Sequence, residues 1–288
     1  MTDAVITLSS FPNATEFYKT YWNKKPFVVK GGIKDEVTDE LIPADELAGL
    51  SLEEDVRSRI VMTGKSHADW TCEHGPFDED VFSKLPEENW SLLVQDVEKY
   101  HPSTANVITP FDFSPKWLID DVMVSYSVPG GGVGPHLDSY HVFLIQGQGK
   151  RIWKLGRSAI NNEKYIEDID LKILRDDFIG DVFEVTSGDV IYIPPRFPHS
   201  GETQEESLTY SIGFLGPSLS EMMVEFGQFI EEQDSLNKRY DADSLKPNSA
   251  GLNMVSEEVD NFRTTMIDAI NSEKFDEWLR DYFLGDPD

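Results

Sequence analysis

Residues Val122 to Lys154 read VMVSYSVPGGGVGPHLDSYHVFLIQGQGKRIWK. An H-x-D pair, His136 and Asp138, lies here between a glycine-rich turn and an apolar run. On an extended backbone residues two apart share a face, so one imidazole and one carboxylate can address a common point. A third ligand must come from elsewhere, and GDVIYIPPRFPHS supplies His199 at the end of what reads as a second strand. Two histidines and one carboxylate on one side of a metal, with other positions open, suit non-heme Fe(II) and oxygen chemistry.

An isolated H-x-D arises by chance, and a histidine at a strand end is often only hydrogen-bonded. Three neighbouring features strengthen the ligand reading. The turn PGGGVGP (Pro129 to Pro135) lets the backbone pass close to a bound group, because glycine has no side chain. His199 follows a Pro-Pro pair that restricts the backbone. Arg151 shares a face with Trp153 and Leu155 by alternation, and a buried guanidinium needs an anion. Two readings of Arg151 stand side by side: a clamp for the carboxylate of a small diacid, or a surface residue in a basic run with Lys150 and Lys154. His141 has the opposite parity to His136, Asp138 and Tyr140 and points away from the site unless a bulge intervenes. His67, His74 and His101 carry no ligand spacing, and Cys72 has no basic neighbour in sequence to activate it. No G-x-S-x-G elbow, P-loop or G-x-G-x-x-G after a strand is present, so hydrolase, NTPase and dinucleotide readings lack a motif.

Around this stretch the chain divides by pattern. From Asp120 to Leu215, DVMVSYSV, YHVFLIQ, KRIWKL, DVFEVTSGD, DVIYIPP and LTYSIGFL read as strands separated by Gly and Pro turns, as in a sandwich or small barrel. GQG (Gly147 to Gly149) reads as a tight hairpin between HVFLIQ and KRIWKL. The charged, irregular segment Ser158 to Asp177 reads as an insertion over the surface. Residues 1–115 are a mixed flank. Asn13 caps a short helix through Tyr21, PFVVKGG and SRIVMTG are strands, Pro43 opens a helix, and WSLLVQDV (Trp90 to Val97) is strand or helix. Trp70, Phe77, Phe82, Trp90 and Tyr100 read as core residues rather than ligand-stacking ones. From Ser218 the period becomes helical, in SLSEMMVEFGQFIEEQ, SEEVDNFRTTMIDAIN and SEKFDEWLRDYFLG. Each opens on a serine with acidic residues in the first turn. Gly285 would cap the last. Met222, Phe226, Phe262, Ile267, Phe275, Trp278 and Phe283 need a partner surface, from the barrel or from a second subunit.

Composition narrows the classes further. With 288 residues, 27% charged and 39% hydrophobic, the chain can bury a sizeable core. No apolar run approaches the roughly 20 residues of a membrane span and the N-terminus does not read as a signal peptide, so the expected location is the cytoplasm. One cysteine excludes an internal disulfide and a Cys-rich zinc site. A net charge of -28 argues against direct nucleic-acid binding; it suits a basic protein partner, or serves only solubility.

Four segments, FYKTYWNKKPFVVKGG, WSLLVQDV, DDVMVSYSVPGGGVGPHLDSYHVFLIQGQGKRIWKLG and GDVIYIPPRFPHSGETQEESLTYSIGF, run in the same order as in the Jumonji-C (JmjC), cupin-like ribosomal oxygenases. The resemblance extends from about Glu16 to about Gly216 with similar helices after it, and is nearest to the bacterial ribosomal-protein arginine hydroxylases. It implies an α+β protein in three parts. These are an α/β flank over 1–115, a double-stranded β-helix (jelly-roll) core over 116–217, and a helical module over 218–288 that forms a homodimer. It further implies Fe(II) held by His136, Asp138 and His199, and 2-oxoglutarate held at its far carboxylate by Arg151. Ser127 and Ser211 are candidate cosubstrate contacts, with Tyr126 and Tyr140 as further inward-facing candidates. The reaction implied consumes O2 and 2-oxoglutarate, releases succinate and CO2, and hydroxylates Cβ of an arginine in a large-subunit ribosomal protein. Relatives commonly carry a winged-helix domain after the helical module, whereas this chain stops at Asp288, either as a shorter member or as an incomplete sequence. The alternatives are a non-catalytic cupin that binds metal and a carboxylate, and an oxygenase of the same class acting on histidine or methylated residues.

Overall fold

The computed structural model describes residues 4–66, 69–239 and 256–284. His67 and Gly285, and the roles expected of them, lie outside the described residues. The chain divides into two units, Met1–Leu215 and Gly216–Asp288.

The first unit is built on a ten-stranded sheet. Its strands are β1 (Ile6–Leu8), β2 (Phe27–Val29), β3 (Ser58–Met62), β4 (Thr71–His74), β5 (Trp90–Val94), β6 (Ile119–Ser127), β7 (His141–Gly156), β8 (Gly180–Thr186), β9 (Val190–Ile193) and β10 (His199–Phe214). The order is β1-β2-β9-β7-β10-β6-β5-β3-β4, with β8 also paired to β7. All pairings are antiparallel except β1 with β2. The flank is therefore woven into the sheet, since β2 pairs with β9 and β5 with β6. WSLLVQDV resolves as a strand because all five residues of β5 are buried and a central strand can be apolar on both faces.

Asn13 caps α1 (Ala14–Glu16) by accepting from the Glu16 amide, and the chain continues as a π-helical turn through Tyr21. The short helices α2 (Asp35–Thr38), α3 (Ala44–Leu50), α4 (Asp80–Lys84) and α5 (Val97–Tyr100) follow. Pro43 sits one residue earlier than expected, as the N-cap of α3. Leu47 and Val97 from these helices, with Phe17, Tyr21, Val107 and Phe111, pack on one face of the sheet against Val122, Val124, Phe143, Ile145, Tyr210 and Ile212. Trp70 and Trp90 are buried, and Phe77 and Phe82 pack against the core. Tyr100 departs from expectation. It is exposed, and its hydroxyl donates to the Asp55 carbonyl.

Two strand assignments change. GQG is no hairpin: β7 runs through it for 16 residues, pairing with β10 throughout. On its other edge β7 pairs with β9 over Val142–Ile145 and with β8 over Lys150–Gly156. Irregular register between Gln146 and Lys150, with Gly149 at a φ of +72°, takes up the change. A Cβ at Gly149 would lie 1.9 Å from the Glu206 carbonyl oxygen, so only glycine fits there. Nor does His199 end a strand. β9 stops at Ile193, the chain turns through PPRFP with Arg196 at a φ of +66°, and His199 opens β10.

Among the described residues the second unit holds three helices, α6 (Leu219–Glu231), α7 (Ser256–Ile270) and α8 (Glu273–Leu284). Ser218 caps α6 in a reciprocal capping box with Glu221. Phe226 and Trp278, both buried, meet with ring centroids 5.0 Å apart, and Phe275 lies 5.0 Å from Phe226 and 5.3 Å from Trp278. Val259, Phe262, Met266, Ile267 and Ile270 of α7 are exposed. Among the described residues no helix is long and apolar enough to cross a membrane.

Candidate active site

The sheet face opposite the helix-packed core opens into a cavity of about 670 Å³. Alternation on β6 explains its lining. Val122 and Val124 enter the core, while Asp121, Met123, Ser125 and Ser127 face the cavity. On β10 the odd positions Thr209, Ser211 and Gly213 do the same. On β7 the parity reverses. Val142 and Leu144 line the cavity before the irregularity at Gly149, and Arg151 and Trp153 line it afterwards. The bend that looked like a hairpin in sequence is what turns Arg151 inward.

His136, Asp138 and His199 converge on one wall, their ligating atoms within 4.8 Å of one another. The H-x-D pair lies on a loop rather than a strand. A single antiparallel bridge, with His136 N–H donating to the His199 carbonyl at 3.0 Å and His199 N–H donating back at 2.9 Å, keeps that loop extended at the pair. The Arg196 amide donates to the Asp138 carbonyl at 2.7 Å, so the turn before His199 also ties down the carboxylate's own backbone. The glycine turn passes close to neighbouring backbone, and at Gly132 also beside Arg151, whose Nη2 would lie 3.9 Å from a Cβ there. A Cβ at Gly131 would meet the Trp90 carbonyl oxygen at 2.2 Å, and one at Gly132 the Gly201 carbonyl oxygen at 2.4 Å.

The donor chemistry fits a divalent metal. His136 Nδ1 lies 2.9 Å from the Gly134 carbonyl oxygen and His199 Nδ1 3.0 Å from that of Phe197. A carbonyl only accepts, so each Nδ1 carries the proton and each Nε2 presents a lone pair. His199 is buried, and desolvation with the neighbouring His136 lowers its pKa to about 4, so its imidazole is neutral at physiological pH. His199 Nε2 stands 3.5 Å from the Asp138 carboxylate, and the two imidazole centroids are 4.2 Å apart.

Arg151 is buried, 4% exposed, and among the described residues no carboxylate pairs with it. Its guanidinium donates to Thr209 Oγ1 at 3.2 Å and to the Gly201 carbonyl at 3.3 Å, lies over the Trp153 ring at 4.9 Å, and leaves Nε without a partner. Burial lowers its pKa to about 10, which still leaves it charged. A cation desolvated to this degree without a counter-charge is costly, and the cavity beside it has room for a small dicarboxylate.

Ser127 and Ser211 both line the cavity, and Ser127 donates to Ser91 Oγ at 2.7 Å. Tyr140 lines it too; Tyr126 does not, and packs with the core near Trp90. His141 points away from the three ligand candidates. Its Nδ1 pairs with the Tyr192 hydroxyl at 2.7 Å and its ring stacks on Trp22 at 3.5 Å. Sequence reading missed Thr209 and Gln146, which connect to Arg151 through the Thr209 Oγ1 bond to Gln146 Oε1 at 3.2 Å, and Ser91, which lines the cavity and accepts from Ser127. Parity on LTYSIGFL could have found Thr209, since it lies two residues from Ser211. The insertion between Ser158 and Asp177 is not merely superficial. It buries Ile173 and Leu174, bonds the Leu174 amide to the Pro135 carbonyl at 2.7 Å, and walls the cavity with Ile169 to Lys172.

The family model for the JmjC domain matches residues 106–222, which defines the class: a cupin-like oxygenase fold with a large mixed sheet and helices. Over 274 residues the chain is 39% identical to the "Ribosomal protein uL16 3-hydroxylase" of Escherichia coli K12, covering 94% of this chain and 71% of that protein. It is also 39% identical over 210 residues to a "Probable ribosomal oxygenase" of Haemophilus influenzae, covering 72% of this chain and 50% of that one. The solved structure of the E. coli ribosomal oxygenase YcfD with cobalt and 2-oxoglutarate superposes with a TM-score of 0.74 at 37% identity, over 94% of this chain and 71% of that one. The chain belongs to the JmjC-domain ribosomal oxygenase family. JmjC oxygenases use Fe(II), 2-oxoglutarate and O2.

Proposed function

We propose that this chain is a 2-oxoglutarate- and Fe(II)-dependent hydroxylase of a ribosomal protein, acting on Cβ of an arginine side chain. The observation that carries the reading is Arg151, a buried guanidinium without a carboxylate, in the same cavity as a two-histidine, one-carboxylate set. His136, Asp138 and His199 would hold the metal through two Nε2 lone pairs and one carboxylate oxygen. Arg151 would receive the distal carboxylate of 2-oxoglutarate in charge-assisted hydrogen bonds, with Thr209 orienting the guanidinium. Ser127 and Ser211, on the two strands flanking that space, are placed to contact the cosubstrate. Bound there, Fe(II) with 2-oxoglutarate and O2 supplies the oxidising equivalents and the hydroxyl oxygen, leaving succinate and CO2.

Two arguments support the substrate. The E. coli relative's name specifies a 3-hydroxylase of uL16, and carbon 3 of an amino acid is Cβ. A net charge of -28 favours encounter with a basic ribosomal protein. Such a substrate would place the reaction in the cytoplasm. The exposed apolar positions on α7 fit the homodimer expected of the helical unit.

The test is anaerobic reconstitution with Fe(II), then succinate formation on admitting O2, with and without ribosomal proteins followed by intact mass. A gain of one oxygen on a single ribosomal protein, mapped to an arginine and lost in His136→Ala and in Asp138→Ala, is the expected result. Succinate without a mass gain discards the substrate. Metal and 2-oxoglutarate binding with no turnover would favour the non-catalytic reading.

A further inference from the structure

A second set of metal-ligating side chains stands at the mouth of the same cavity. Cys72 and His74, two residues apart on β4, share a face. Asp170 meets them from the segment between β7 and β8, with all three ligating atoms within 4.8 Å of one another. The Asp170 carboxylate lies 2.9 Å from His74 Nε2 and Cys72 Sγ lies 3.9 Å from that same nitrogen. This convergence distinguishes the set from a catalytic Cys-His-Asp relay, in which thiol and carboxylate occupy different imidazole nitrogens. Here both approach Nε2, as three ligands around one cation would.

We propose that Cys72, His74 and Asp170 form a second divalent-metal site, suited to Zn²⁺ with water completing a tetrahedron. One thiolate, one imidazole and one carboxylate make a borderline-soft set that discriminates against Mg²⁺ and Ca²⁺. The ligating form of a cysteine is the thiolate, not the thiol. Metal binding therefore releases the thiol proton and tightens as pH rises. The site also has a structural consequence. Its carboxylate comes from the segment whose residues Ile169 to Lys172 wall the cavity, and His74 itself lines that cavity. An ion held here fastens the segment to β4, across the entrance through which a substrate side chain would pass.

The chain has a single cysteine, which makes the test specific. Co²⁺ is titrated into the full chain while the near-ultraviolet sulfur-to-cobalt charge-transfer band is followed. No other residue can supply that thiolate band, so cobalt at His136, Asp138 and His199 contributes nothing to it. The expected result is a saturable band, lost in Cys72→Ser, weakened about tenfold or more in affinity in His74→Ala and in Asp170→Asn, unchanged in His136→Ala, and bleached by Zn²⁺ but not by Mg²⁺. Absence of the band at slightly alkaline pH, with cobalt binding shown by equilibrium dialysis, would overturn the proposal. A band of equal affinity in His74→Ala would also overturn it, by showing a thiol binding alone. Because His136→Ala preserves the band while abolishing cobalt at the main centre, failure of this site and failure of the oxygenase reading give different results.

Discussion

Arg151 shows how a single side chain can carry a functional argument. Its guanidinium is buried, has two hydrogen bonds to neutral oxygens, and leaves Nε unpaired. Arg151→Ala should weaken 2-oxoglutarate by about 2 to 5 kcal/mol, as expected when one side of a buried charge pair is truncated. The check is 2-oxoglutarate affinity by calorimetry on the cobalt-loaded protein, and an unchanged affinity would place the carboxylate elsewhere. Asp121 offers a pH test. Burial, then the nearby Asp120, Asp96 and Glu98, raises its pKa to about 6. Because the folded pKa exceeds the ordinary carboxylate value, Asp121 stabilises the fold when protonated. That contribution is complete below about pH 4 and is lost as pH rises through about 6. Asp121→Asn should therefore gain stability relative to the parent on going from pH 4.5 to pH 8, by on the order of 1 kcal/mol after allowance for partial solvent screening. Denaturant melts of both proteins at the two pH values measure it; a constant difference would contradict it.

At the scale of elements, β7 does what two shorter strands were expected to do. Its first half pairs with β9, its second with β8, and the irregularity at Gln146 to Lys150 changes which parity faces the cavity. Gly149 is the hinge of that change, combining a φ of +72° with a backbone approach that excludes any Cβ. Gly149→Ala should cost about 2 kcal/mol or more, since both left-handed backbone strain and overpacking act there. It should also weaken 2-oxoglutarate by disturbing Arg151. Thermal denaturation and calorimetry on the same variant check both, and wild-type values in each would show that the bend tolerates a side chain.

For the whole molecule, the sheet brings residues from the flank, core and insertion to one cavity: Arg59, Ser91, Ser127, His136, Arg151 and Lys172 all line it. The helical unit carries a different expectation. The double variant Met266→Glu, Ile267→Glu places two charges among exposed apolar positions of α7. Light scattering should report a dimer for the parent and a monomer for the variant, with circular dichroism confirming that both keep their helices. An unchanged mass would remove α7 from the interface.

Local chemistry made much of this protein readable before its structure. The H-x-D pair, the distant His199, the outward parity of His141 and the Ser218 cap of α6 follow from residue spacing, backbone alternation and side-chain hydrogen bonding. These are properties of a few neighbouring residues. The sequence pattern alone could not choose between an inward and an outward Arg151, tell a strand bend from a hairpin at GQG, or connect Cys72 and His74 with Asp170. Each of those depends on which strand lies alongside and where a segment nearly a hundred residues away comes to rest. Only long-range pairing in the folded sheet decides that, because register is set by partners and not by the strand itself.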